Sequence, residues 1–499
     1  MSGLVRVKML AEYAKCEIIF LMKIKNINVR ESIDKIKEQV RSDRTASREL
    51  KSSINSLITI TTALVDRLAV TSANSSKPPS QDPNRIRKTR IDKGIKRNKK
   101  KPGGQAGHTG TTLEKIDNLN DYDYVSEEIL IDKKSIPAGT YKQVGFETRQ
   151  VFDIKISTFI HEYKAEILED EKGNQYVAKF PDDVKKAVQY SNEVKAKSVY
   201  MSQFQLIPFA RVADYFNHQL GLGISKASVF NFNKEAFLKL EMFEAWARVE
   251  LLHSPFNHAD ETGININGKR IWLHTLSSAY VTLYHPDEKR GTEAMDRMGI
   301  LQFYKGILCH DHWKPYYKYL FLHALCNAHH LRELKFAFEE DAQEWAKKMH
   351  KLLSKMNEEV QASKNGTLSK ERIKYFQKRY RSILNKGKTE CPLIKKAKGK
   401  KGKQKKSKSR NLLERLIKFE DDTLRFIKES IVSFTNNQGE NDLRMTKVQQ
   451  KISGCFRSMD GAEMFCRIRG YLVTCRKHGV KPTEALRLLF AGELPAFIV

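Results

Sequence analysis

Three acidic residues stand at the ends of predicted elements. Asp260 lies in HADETGININGKRIWLHTL, Asp311 follows the apolar run FYKGILC, and Glu440 lies in NNQGENDLR. Two strands and a later helix can bring such carboxylates into one cluster. Hard oxygen ligands of that kind suit Mg²⁺ or Mn²⁺ rather than zinc. A two-ion carboxylate site activates a water or hydroxyl and stabilises the leaving oxygen of an in-line phosphoryl displacement. Spacing alone does not single out this triple, because the chain offers 59 acidic residues.

Neighbouring residues sharpen or rival that reading. On a helix, Glu440, Arg444, Lys447 and Lys451 share one face, and basic groups behind a metal-bound acid would hold a phosphate backbone. An ordinary Glu–Arg pair worth a few tenths of a kcal/mol explains the same spacing. The rival constellation is His310, His312, His323, Cys326, His329 and His330, in which Cys326 and His329 fall on one helix face. Zinc is conceivable there, but the spacing matches no paired zinc signature. Histidines at a strand end commonly do no more than hydrogen-bond their neighbours.

The elements that must position these residues are legible in part. Asn267-Gly268 between two apolar runs predicts a hairpin, with Asp260 and Glu261 in its first strand. An unpaired buried carboxylate is costly, so Asp260 must be metal-bound, hydrogen-bonded or exposed. Gly306 to Cys309 has the composition of a short buried strand, and 316 to 385 reads as amphipathic helix. From Ile33 a heptad seam runs through Ile36, Val40, Asp43, Ser47, Leu50, Ile54, Leu57, Thr61, Leu64 and Leu68; eight of its eleven positions are apolar. That predicts a coiled coil, a helical hairpin or a helix docked on its own core, with polar breaks at Asp43 and Ser47. Residues 118 to 180 read as short strands (EEILI, TRQVFDIKI, FIHEYKAEILED, QYVAKF). In QFQLIPFARVADYFNHQLGLGISKASVFNFNKEAF, a turn at Gly221-Leu222-Gly223 and an N-cap at Ser225 suggest helix-turn-helix, with Ser228 and Asn231 on the second helix; a plain helical hairpin fits as well.

Charge points to a polyanionic partner. The formal net charge of the 499 residues is +30, and nucleic acid is the simplest partner. Two arms, Lys77–Lys101 and Lys395–Arg410, carry +19 of it; a solvated tail is the bland alternative. The first arm closes on KPGGQAGHTG, whose glycines would let backbone N–H groups approach phosphate. Seven cysteines without a CxxC pair argue against a disulfide framework and for a reducing compartment. The sequence contains no apolar run long enough to span a membrane, and the opening segment is too short in its apolar core for a secretory signal. Translation from Met1 or Met22 is left open.

Several motifs in order resemble the IS66-family transposases, from about residue 30 to the end. NSSKPPS (74–80) with GGQAGHTG (103–110) is similar to that family's linker. HADETG (258–263), ILCHDHWKPY (307–316) and NNQGENDLR (436–444) resemble its three catalytic blocks, and HALCNAHHLREL (323–334) its Cys-x-x-His block. The resemblance implies a DDE transposase of multidomain α+β build with a ribonuclease-H-like core, in which Asp260, Asp311 and Glu440 hold two Mg²⁺ (or Mn²⁺) ions and zinc is not expected. Water attack would nick the element ends, and the freed 3′-OH would attack target DNA. Cys326, His329 and Arg332 would support the site or contact DNA. The implied layout is an N-terminal helical or coiled-coil region (1–75), a basic Gly/Pro-rich linker (76–115), a small β module (116–185) and a helical, helix-turn-helix-like region (186–250). A catalytic core follows in two parts (251–345 and 429–499), split by a helical insertion with a Lys-rich loop (346–428). Family members often carry a cysteine-bearing zinc-finger-like module after the linker; no cysteine occurs here between Cys16 and Cys309, so the β module is expected to stand without metal.

The expected partners are the element's terminal inverted repeats and target DNA, a second copy of the chain, and element-encoded accessory proteins, at the bacterial nucleoid in the cytoplasm. A transposase-derived DNA-binding protein without catalysis is the second reading, and a zinc-dependent hydrolase built on the histidines the third.

Overall fold

The computed structural model describes residues 23–24, 27–43, 45–69, 113–120, 124–154, 156–393 and 406–498. Met1, Met22, the arm 77–101, the glycine-rich 103–110 and most of the lysine run 395–410 lie outside the described residues. Two compact units are separable: residues 1–85 with 163–499, and residues 86–162.

In the smaller unit the predicted strands EEILI and TRQVFDIKI do not form among the described residues. Their alternating apolar side chains are not buried: Ile129 is 90% exposed, Val151 93% and Ile160 93%. With no face removed from water, nothing offsets the entropy of ordering the backbone. The local order is a 3₁₀ turn at Lys133–Ser135 capped by Asp132 and the Gln150 side chain, which bonds both N–H and C=O of Ile116. Within the expected 116–185 module, the one ladder among the described residues is a short antiparallel pair, Ile167–Glu169 with Gln175–Val177, turning through Gly173.

The heptad seam is cut into two helices, α1 (Val29–Ser42) and α2 (Arg48–Ala69), which pack on each other. Asp43 and Ser47, the polar breaks of the seam, cause the cut. Asp43 accepts hydrogen bonds from the N–H groups of Thr45 and Ala46, and Ser47 accepts from Leu50 N; such side-chain bonds compete with helix continuation. Ile33 and Ile58 are buried in the pair, while Ile36, Leu50, Leu57 and Leu64 are exposed.

Next come α3 (Asn192–Val199), α4 (Phe209–Leu220), α5 (Lys226–Lys239) and α6 (Glu241–His253). The turn between α4 and α5 forms where the sequence places it. Gly221 takes the left-handed conformation at the C-terminus of α4 (φ 61°), the Asn217 side chain bonds both N–H and C=O of Ile224, and Ser225 caps α5. Val212, Phe216, Ile224 and Val229 close a small core beneath it, leaving Asn231 outward.

A five-stranded mixed sheet centres the larger unit. Its strands are β1 (Phe256–Ile266), β2 (Lys269–Ser277), β3 (Thr282–Asp287), β4 (Ile307–His310) and β5 (Leu322–Leu325), in spatial order β3-β2-β1-β4-β5. β1 to β3 form an antiparallel meander; β4 pairs parallel to β1, and β5 parallel to β4. Helix α7 (Thr292–Met298) precedes β4, and α8 (Asn327–Glu339) follows β5. Then come α9 (Glu344–Ala362), α10 (Lys370–Glu390), α11 (Lys408–Lys418), α12 (Glu420–Leu424), α13 (Asn437–Ser453), α14 (Met459–Lys477) and α15 (Pro482–Ala491). Each face of the sheet carries a core, as period-2 alternation requires. Ala259, Leu276 and Leu308 pack with Phe243 of α6 and Ile468 and Leu472 of α14. Ile307, Cys309 and Ala324 pack with Trp345, Met349, Phe376 and Leu413 of α9 to α11. Among the described residues no helix is long and apolar enough to cross a membrane.

Candidate active site

Strand register brings the two aspartates together. Asn267 and Gly268 both adopt positive φ (46° and 82°), the mirror-image turn that matches strand twist, and so set Asp260 in the middle of β1. In the parallel pair β1–β4, His258 faces Cys309; Asp260 and Asp311 each lie two residues further along. β4 is wholly buried, so the chain must turn out at its end. It does so through His312, a non-glycine residue at φ 70°, a conformation that costs of order 1 kcal/mol and concentrates at functional sites. That turn lets Asp311 Oδ1 accept from Trp313 N at 2.9 Å, while Asp260 Oδ1 accepts from Glu261 N at 2.9 Å.

Glu440 arrives from the first turn of α13, which packs across β1 and β2. Residues to either side of Glu440 dock the helix. Gln438 Nε2 donates to Ser278 O (2.7 Å), Thr282 Oγ1 to Asp442 Oδ2 (3.1 Å), and Tyr284 OH to Asp442 O (2.9 Å). Lys477, from α14, donates to Ser278 O and Thr282 Oγ1 and pairs with Asp442.

The electrostatics are those of a crowded acid cluster. Burial, then the charges of Glu261, Asp311 and Glu440, push the Asp260 carboxyl well above the usual carboxylate range. Burial raises Asp311 too, against Arg290. Burial and Asp311 lift Glu261 to about 7, although Arg290 and Tyr316 oppose this. Glu261 Oε1 accepts from Arg290 (2.7 Å from the terminal nitrogen) and Oε2 from Tyr316 OH (2.9 Å). The guanidinium lies between the rings of Trp272 and Trp313, 4.6 and 4.3 Å from their centroids, which fixes its plane. Like charges held together in low dielectric are relieved by protonation or by a cation, and Glu440 Oε1 is buried without a hydrogen-bond partner. Oxygen donors in this state fit a hard divalent ion.

Of the supporting residues, Cys326 and His329 reach the cluster: the Cys326 sulfur, a His329 ring nitrogen and a Glu440 oxygen lie within 4.8 Å of one another. Burial raises the Cys326 thiol to about 11 and lowers His329 to about 3. Arg332 stands one turn along α8 with its Nε buried and unpartnered. Arg444 and Lys451 are exposed on α13, whereas Lys447 Nζ donates to Gly263 O on β1 and is engaged with the sheet. Of the other histidines of the rival constellation, His310 Nε2 meets His323 Nδ1 at 3.0 Å and His330 Nδ1 meets Asn327 Oδ1 at 3.2 Å, while the His312 ring packs on Tyr317 and Phe419 with its Nε2 buried and without a hydrogen-bond partner. Arg290, Trp272 and Tyr316 were not anticipated as part of this cluster. Trp272 and Tyr316 fall in or beside the quoted catalytic blocks, but Arg290 carries no local signal.

A family model described as "Transposase IS66 family" matches residues 187–464, more than half of the chain and a span that includes all three carboxylates. A second, "Family of unknown function (DUF6444)", matches residues 22–114. No curated protein matches the chain.

Proposed function

The chain belongs to the IS66 transposase family, and from that premise we propose that it cuts insertion-element ends and transfers the freed strand to target DNA, with Asp260, Asp311 and Glu440 as the catalytic acids. What supports this reading is the convergence of the three. Parallel pairing of β1 and β4 sets the aspartates side by side, and Glu440 is close enough that its charge acts on Asp260. The sheet order, with β2 alone running against the other four strands, agrees with a ribonuclease-H-like core.

The three carboxylates would hold two Mg²⁺ or Mn²⁺ ions, which supply positive charge at the scissile phosphodiester and ease deprotonation of the attacking hydroxyl. The chain's own contribution is positional and electrostatic. The docked face of α13 holds Glu440 near Asp260, inside β1, and Asp311, just past the end of β4. Glu261, fixed by Arg290 and Tyr316, stands behind Asp260, and Arg290 tempers the negative charge on Asp311. The exposed cations Arg444 and Lys451 lie on the same helix and suit a phosphate backbone. The helix-turn-helix-like α4–α5 pair and the basic arms would contribute DNA binding.

The test is strand cleavage of DNA bearing the element ends, with Mg²⁺ or Mn²⁺, by the intact chain and by Asp260→Asn, Asp311→Asn and Glu440→Gln. Each substitution should abolish cutting while sparing binding. A substitution that leaves cutting intact removes that residue from the mechanism. An intact protein that binds but never cuts, with accessory proteins supplied, would instead support a DNA-binding protein without catalysis.

A further inference from the structure

We propose that Asn436 is the positioning residue that sets Glu440 against the two aspartates, an inference that rests on the catalytic reading above. Asn436 is 1% exposed and stands at the N-cap of α13, where an asparagine side chain ordinarily caps its own helix. Here it makes no cap bond. Its Nδ2 donates instead to Ala259 O at 2.8 Å, the carbonyl immediately before Asp260. Its Oδ1 lies 2.8 Å from His258 Nδ1, on the same strand. Its backbone N–H donates to the Cys326 sulfur (3.1 Å), and its carbonyl accepts from Glu440 N (3.1 Å).

One buried residue therefore ties β1 beside Asp260, the turn after β5, and the first turn of α13. Gly439 completes the arrangement: a Cβ there would lie 3.1 Å from Asn436 Oδ1, so a larger residue would press on the clamp. The helix has other anchors in Gln438, Asp442 and Lys477. Loss of the Asn436 side chain should therefore leave α13 docked and disturb mainly how closely Glu440 approaches the aspartates. Groups that orient ligands from behind are worth about 10- to 100-fold in metal affinity.

The experiment measures Mn²⁺ binding to the full chain by the resonance of free Mn²⁺, alongside DNA binding and thermal unfolding. The proteins are the wild type, Asn436→Asp, Asn436→Ala and Glu440→Gln. Asn436→Asp keeps the shape and removes the donor to Ala259; Asn436→Ala removes the donor and the acceptor for His258 without adding a buried charge. Both should weaken Mn²⁺ binding about tenfold or more, and raise the Mg²⁺ needed for half-maximal cleavage by the same factor, with DNA affinity unchanged. Mn²⁺ affinity within about twofold of wild type in both, while Glu440→Gln weakens it, overturns the role of Asn436 and leaves the triad standing. A lowered melting temperature without a change in Mn²⁺ binding overturns it equally, as a purely structural part. If Glu440→Gln itself binds Mn²⁺ normally, the triad reading fails and the clamp with it.

Discussion

Replacing Glu261 with glutamine should flatten the pH dependence of stability in the metal-free protein. Burial, then the charge of Asp311, lifts this carboxyl from 4.5 to about 7, and its side chain is 2% exposed, so solvent screens it little. An acid whose pKa is higher folded than unfolded binds more protons when folded. Its contribution is complete below the unfolded value and is lost as pH rises through the folded one. The interval from 4.5 to about 7 corresponds to roughly 3 kcal/mol. Asp260 and Asp311 are raised in the same direction, so the wild-type loss should exceed that figure. Urea unfolding in chelator, from about pH 5 to about pH 8, should show the wild type losing roughly 2.5 kcal/mol more than Glu261→Gln, since the part of the interval below pH 5 falls outside the scan. Added Mg²⁺ should restore stability more at the higher pH, where the cluster is ionised and binds cations best. Parallel profiles for the two proteins would refute the picture of a buried acid cluster strained by its own charge.

Two further outcomes test the elements around the site. Gly387→Ala would put a Cβ 2.8 Å from Leu413 Cδ1 and 2.9 Å from Trp345 Cγ. Calorimetry should show a net loss of about 1–3 kcal/mol despite alanine's better helix propensity, and a stabilised variant would contradict the close approach of α9 to α11. Deleting residues 395–405, with seven lysines, should reduce the slope of log affinity for DNA against log salt by up to about six. Lys406 and Arg410 stay, because both pair with Glu414; an unchanged slope would make the run a spectator.

Much of the site was legible because its signals are local. Asn267-Gly268 forms the hairpin its type demands, the apolar run before Asp311 is the buried strand β4, and Glu440 opens a helix with Arg444, Lys447 and Lys451 following on it. Gly221 and Ser225 punctuate α4 and α5 as their chemistry predicts. Local pattern misled where period alone was read. The apolar side chains of the β alternation in 124–160 stay exposed among the described residues, and the heptads break at Asp43 and Ser47, where side chains capture backbone donors.

Sequence by itself determined which residue types line up at strand and helix ends, because hydrophobic period and turn chemistry act over a few residues. Tertiary structure alone decided which of those ends meet. The pairing of β1 with β4 joins residues some fifty positions apart, Asn436 reaches back to Ala259, and Arg290 finds Glu261 between two tryptophans. Such contacts are fixed by burial on both faces of a sheet summed over the whole unit, and no short window of the chain carries that sum.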